Sequence, residues 1–158
     1  MKAASVKELK YELINRSQDE LLDYCLRLSK FKKENKELLT YLLFESDNEF
    51  AYIKTVKEEA DKLFEQINRK NYYYIKKSIR KILSMIKKHI RYSQKKETEA
   101  DLLIYFCRKL YEFQPPIKNN TALFNLYNRQ INTIKKTILS LHEDLQYDYN
   151  SMMEDILS

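Results

Sequence analysis

The sequence predicts an all-α protein, and three observations carry that prediction. The 158 residues contain no glycine, only two prolines and 33% charged side chains. Tight strand connections favour turns with positive φ, which glycine supplies most readily, so a chain without it has few ways to build hairpins. Apolar residues recur at spacings of three and four along nearly the whole chain, the period of a helix that buries one side. A Ser or Thr followed three residues later by Glu or Asp stands at the head of four such runs, at Ser5/Glu8, Ser17/Glu20, Ser46/Glu49 and Thr98/Asp101. That is the signature of a capping box, in which the two side chains satisfy each other's free backbone N–H groups. Together these features place more than three quarters of the residues in helices and none in a sheet.

Taken in order, the first helix is predicted over about 5–15, on Val6, Leu9 and Leu13, and the second over 17–30, on Leu21, Leu22, Cys25, Leu26 and Ser29. The polar FKKENK, residues 31–36, reads as a turn. Leu38, Leu39, Leu42 and Leu43 make a third helix ending near Glu45. The fourth, about 47–68, uses Phe50, Ile53, Val56, Ala60, Leu63, Phe64 and Ile67, and the fifth runs from 71 to 93. Thr98 caps a sixth, 98–113, that stops at Pro115 and Pro116, because proline lacks an amide N–H and clashes with the preceding turn. A seventh begins near Asn120 and carries Leu123, Tyr127, Ile131, Ile134, Ile138, Leu141 and Leu145 through about Gln146. Beyond it, residues 143–158 hold five carboxylates and no base. Short turns between amphipathic helices imply antiparallel neighbours. The expected architecture is an irregular bundle of about seven helices in one domain, 1–158.

The fifth helix carries the main functional signal. From Arg69 to Lys96 there are eleven Lys or Arg and no Asp or Glu, while the rest of the chain has eighteen basic and twenty-three acidic residues. On a helical wheel with Ile75 at zero, Ile75, Ile79, Ile82, Leu83, Ile86 and Ile90 fall between about −20° and +80°. Lys76, Lys77, Arg80, Lys81, Lys87, Lys88 and Arg91 fall between about 100° and 240°. Tyr73 lies within the cationic face and Tyr74 and Tyr92 at its edge, positions from which rings stack on unpaired bases while cations hold phosphates. Like charges at i, i+4 repel, which favours an anionic partner over a merely solvated face.

Residues 6–28, VKELKYELINRS then DELLDYCLRL, resemble the helix-turn-helix of the SAP DNA-binding motif, although the glycine-containing turn of that motif is missing and the linker is shorter. The resemblance implies a nucleic-acid partner. The chain as a whole, with KFKKENKELLTYLLFE, YYYIKKSIRKIL and LHEDLQYDY, resembles a group of small, all-helical, uncharacterised bacterial proteins, which implies the fold and no reaction.

Chemistry is poorly provided for. Without glycine there is no phosphate-cradling loop of the P-loop or dinucleotide-binding kind. No glutamate precedes His89 or His142 by three residues, as a bundle di-iron site requires. Neither histidine follows an arginine at the spacing of the HEPN ribonucleases. Cys25, Cys107, His89 and His142 lack the close-paired spacing of zinc ligands, and the two cysteines read as reduced packing residues. Consecutive His142, Glu143 and Asp144 point about 100° apart on a helix and do not converge. The sequence therefore predicts no catalytic residues, no metal and no cofactor. The N-terminus reaches charge within ten residues and no uncharged run of about 18 exists, so a cytoplasmic protein is expected. Its partner is expected to be nucleic acid or, as the alternative, an acidic protein surface met by the same basic face of a scaffold module.

Overall fold

The structure, a computed structural model, describes residues 1–157. The protein is all-α: 82% of its residues are helical, with eight α-helices and no strand among the described residues. The chain divides into two compact units, Met1–Phe44 and the remainder from Glu45.

In the first unit α1 (Val6–Ile14) and α2 (Gln18–Phe31) both begin with the predicted capping boxes. Ser5 accepts from the Glu8 N–H at 3.3 Å, and the Glu8 carboxylate accepts back from the Ser5 N–H at 2.8 Å. Ser17 and Glu20 repeat the arrangement at 3.2 and 2.8 Å. Hydrogen bonds from the serines hold both carboxyls below the usual carboxylate range. The expected FKKENK turn shrinks to Lys32, whose extended backbone separates α2 from α3 (Lys33–Thr40). The side chain of Asn35 reaches back to the Leu28 carbonyl at 2.8 Å, which satisfies one of the free carbonyls at the end of α2 and allows so abrupt a reversal. A π-helical turn, Tyr41–Glu45, follows.

The second unit is built around α6 (Lys96–Glu112). Leu102, Leu103 and Ile104 are each 1% exposed. Three consecutive buried residues span about 200° of a helix, so α6 must be covered on most of its circumference. The cover comes from α4 (Glu49–Glu65), α5 (Tyr72–Ser93), α7 (Thr121–Leu139) and α8 (Glu143–Leu157). Helix α5 runs antiparallel to α4 and to α6, so α4 and α6 are parallel to each other. Their register is set by a polar ladder with period four on both helices. Lys57 pairs with Asp101 at 2.5 Å, and Asp61 accepts from the Tyr105 hydroxyl at 2.6 Å and from Lys109 at 2.8 Å. Burial alone raises the Asp61 carboxyl, but hydrogen bonds from Lys109 and Tyr105 and the Lys109 charge outweigh it and leave it lowered. The loop after α6 is pinned by Arg69, whose guanidinium donates to the Gln114 carbonyl at 2.8 Å and lies over the Phe113 ring.

Three local readings give way to tertiary contacts. Asn48 rather than Ser46 is the N-cap of α4, through the Ala51 N–H, and the Glu49 carboxylate accepts from Ser93, from Thr98 at 2.6 Å and from Lys95 at 3.1 Å. Thr98 is accordingly fully buried inside α6 rather than at its N-cap, and the helix starts two residues earlier, at Lys96. The seventh helix stops at Leu139 rather than Gln146. There the Gln146 amide donates to the carbonyls of Leu139 at 3.3 Å and Leu141 at 2.7 Å, satisfying the free end of α7 and turning the chain into α8. The acidic tail is therefore a helix packed on α6 and α7, anchored by Met153 and Ile156.

Ile82 is 1% exposed in the middle of this packing. Ile82→Ala should lower the unfolding free energy in urea by about 2–4 kcal/mol, the cost of a buried large-to-small change. The ladder carries a pH signature. The Asp61 pKa is below its ordinary 3.8 in the folded protein, so its contribution is present above that pH and lost as pH falls through the lowered value. Asp61→Asn should therefore melt below the wild type at pH 7, with the two converging as the pH drops below 3.8.

Candidate polyanion-binding face

Helix α5 is delimited by its own ends. Asn71 accepts from the Tyr74 N–H at 3.2 Å, and at the other end Gln94 takes a left-handed conformation, φ 57°, with its N–H on the Ile90 carbonyl. That position would favour glycine, which this chain lacks; a glutamine closes the helix instead. Between the caps the apolar stripe is covered. Ile75, Ile79, Ile82 and Ile86 are at most 1% exposed and Leu83 is 8%, while Ile90 is half-buried. The opposite face is consequently turned to solvent.

The seven cations of that face fall into two groups. Lys77, Arg80 and Lys81 are exposed with Lys76 half-buried, and one step along the helix Lys87 and Arg91 are exposed with Lys88 half-buried. The gap holds Ser84 and Met85. From Lys76 to Arg91 the axial span is about 22 Å at 1.5 Å per residue. Among the described residues, no carboxylate lies within ion-pair distance of Lys76, Lys77, Arg80, Lys81, Lys87 or Arg91. Four carboxylates of this unit pair with other cations: Asp61 with Lys109, Asp101 with Lys57, Glu49 with Lys95 and Glu99 with Lys96. Six of the seven cations, Lys76, Lys77, Arg80, Lys81, Lys87 and Arg91, therefore stand along the face without a carboxylate partner among the described residues.

The tyrosines divide. Tyr73 is 66% and Tyr74 43% exposed, with ring centroids 5.4 Å apart in an edge-on arrangement. Tyr73 lines a shallow concavity of about 340 Å³ with Lys76, Lys77 and Arg80. Tyr92 does not belong with them. It is 8% exposed and set edge-on against His89, because the end of α5 is drawn onto α4 where Ser93 donates to Glu49. A wheel position alone does not reveal that the last turn of a helix is covered on its flank.

His89 is likewise a joint between helices. Its Nδ1 is 2.7 Å from the Tyr52 hydroxyl and its Nε2 is 3.6 Å from Glu59. His142 stands exposed in the break between α7 and α8, 3.6 Å from Asp144. Cys107 is fully buried, which pushes its thiol up to about 12, and Cys25 is exposed in the first unit. Among the described residues no three His, Cys, Asp or Glu side chains are grouped to hold a metal ion, and no helix is long and apolar enough to cross a membrane. Of the contacts that sequence reasoning missed, the ladder leaves a trace as polar residues four apart on two helices, Lys57 and Asp61 on α4 and Asp101, Tyr105 and Lys109 on α6, and the Glu49 junction leaves none. Compared with known protein families, curated proteins and solved structures, the chain matches none.

Proposed function

We propose that this protein is a non-catalytic binding module that holds single-stranded nucleic acid by its phosphates along the outer face of α5. The observation that carries the reading is the pairing of two faces on one helix: an isoleucine stripe locked into the core and, opposite it, six cations, Lys76, Lys77, Arg80, Lys81, Lys87 and Arg91, with no carboxylate partner among the described residues. A span of about 22 Å accommodates several phosphates, and contacts of this kind give affinity with little sequence selectivity. The exposed Tyr73 and Tyr74 beside Lys76, Lys77 and Arg80 favour nucleic acid over an acidic protein surface, since bases stack on tyrosine faces and carboxylates do not. A lipid surface would need the apolar stripe of α5, which is already occupied by α4 and α6.

Binding of a single-stranded oligonucleotide should weaken steeply with salt, with a log–log slope of about −0.7 per phosphate neutralised. The triple variant Arg80→Gln, Lys87→Gln, Arg91→Gln should reduce that slope by roughly 2 units and lower the affinity, with the melting temperature unchanged or slightly raised as like-charge repulsion is relieved. Tyr73→Ala should weaken binding by about 1–3 kcal/mol at an unchanged slope. Tyr92→Phe should leave binding as it is. An oligonucleotide that fails to bind at low salt, or that binds the triple variant equally well, contradicts the proposal. Loss of an acidic protein partner in that same variant would place the face in a scaffold.

A further inference from the structure

The first unit carries an apolar surface that it does not cover. Within residues 1–44 only Ser29 and Tyr41 are buried, while Val6, Leu22, Leu28 and Phe31 are 83%, 57%, 60% and 78% exposed. Of the twenty-two large apolar side chains that stand exposed among the described residues, fifteen fall in this stretch, which is little more than a quarter of the chain. Proteins in solution rarely leave contiguous apolar patches above a few hundred Å² open, and a helical unit this small supplies too little core to hold itself without association. If even half of those side chains meet one partner, the area reaches the order of the ~800 Å² per partner of a stable interface.

The charges of α2 indicate which partner. Cys25 and Ser29 face the α3 side, where they line a groove with Leu38 and Leu39. On the flank beside them Leu22 and Leu26 stand one turn apart, 57% and 44% exposed. Asp19 and Lys30 close that flank at its two ends. The segregation runs through the whole helix: Asp19, Glu20 and Asp23 occupy its first half, and Arg27 and Lys30 its second. A second copy of α2 laid antiparallel on this flank sets Leu22 beside Leu26 of the second copy and Asp19 opposite Lys30 of the second copy. Two-fold symmetry makes both contacts twice. A parallel alignment would set like charges together. We propose that the protein associates with a second copy of itself through the Leu22–Leu26 flank of α2, in an antiparallel, two-fold symmetric dimer.

Sedimentation equilibrium of the full chain tests this. The wild type should show a concentration-dependent dimer, and Leu22→Glu with Leu26→Glu should shift it to monomer while the helical circular dichroism is retained. Charge exchange tests the register. Asp19→Lys and Lys30→Glu should each weaken the dimer about tenfold, and the two together should restore it. Helix-end electrostatics alone predict another order, because each change opposes the macrodipole and the double variant would be the worst of the three. A wild type that stays monomeric, as it would if another protein or another part of the chain covers the flank, overturns the proposal. So does a dimer indifferent to the leucine changes, or a double variant weaker than either single one.

Discussion

The burial of the α5 isoleucine stripe between α4 and α6 is the constraint on which the rest of the second unit depends. Each of Ile75, Ile79, Ile82 and Ile86 contributes roughly 2 kcal/mol by leaving water. The like-charge pairs on the opposite face, Lys76 with Arg80, Lys77 with Lys81 and Lys87 with Arg91, each oppose the helix by only a few tenths of a kcal/mol. The stripe wins by a wide margin, so the fold tolerates a cationic face that an isolated helix would disfavour. The same packing fixes its direction: with the apolar side held by two helices, Lys77, Arg80, Lys81, Lys87 and Arg91 are turned to solvent.

The second interaction that organises this unit is the Glu49 carboxylate. It sits in the first turn of α4 and accepts from the end of α5 through Ser93, from the start of α6 through Thr98, and from Lys95 between them. One side chain thus closes the corner where three helices meet. Farther along, the Lys57–Asp101 and Asp61–Tyr105–Lys109 contacts keep the parallel pair α4 and α6 in register. These bonds pair Glu49, Asp61 and Asp101 with lysines of α4, of α6 and of the turn between α5 and α6, not with the cations on the outer face of α5.

Much of this was legible in the sequence. The all-α class followed from the missing glycines, and α1, α2, α4 and α5 begin within two residues of where period and caps place them. The core face and the charged face of α5 were readable from a wheel, because a strongly two-sided helix leaves its burial little choice. What failed was local chemistry captured by distant residues. Ser46/Glu49 and Thr98/Asp101 have the letters of capping boxes, yet Glu49 bonds Thr98 across forty-nine positions and the N-caps are Asn48 and Lys95. Gln146 ends α7 from outside it, and Tyr92 is covered by contacts that period alone does not show. Nor does pattern say whether an apolar stripe is covered: α2 and α6 both read as helices with buried sides, but α6 is enclosed by four others and α2 keeps Leu22, Leu28 and Phe31 in solvent.

The central claim is that a polyanion occupies the outer face of α5, and lysine-reactivity footprinting measures that occupancy residue by residue. With acetylation read by mass spectrometry in the presence and absence of a single-stranded oligonucleotide, Lys77, Lys81 and Lys87 should become protected. Lys2, Lys33 and Lys54, equally exposed but outside the face, should react as before. Protection spread evenly over all these lysines, or confined to those outside α5, would contradict the account.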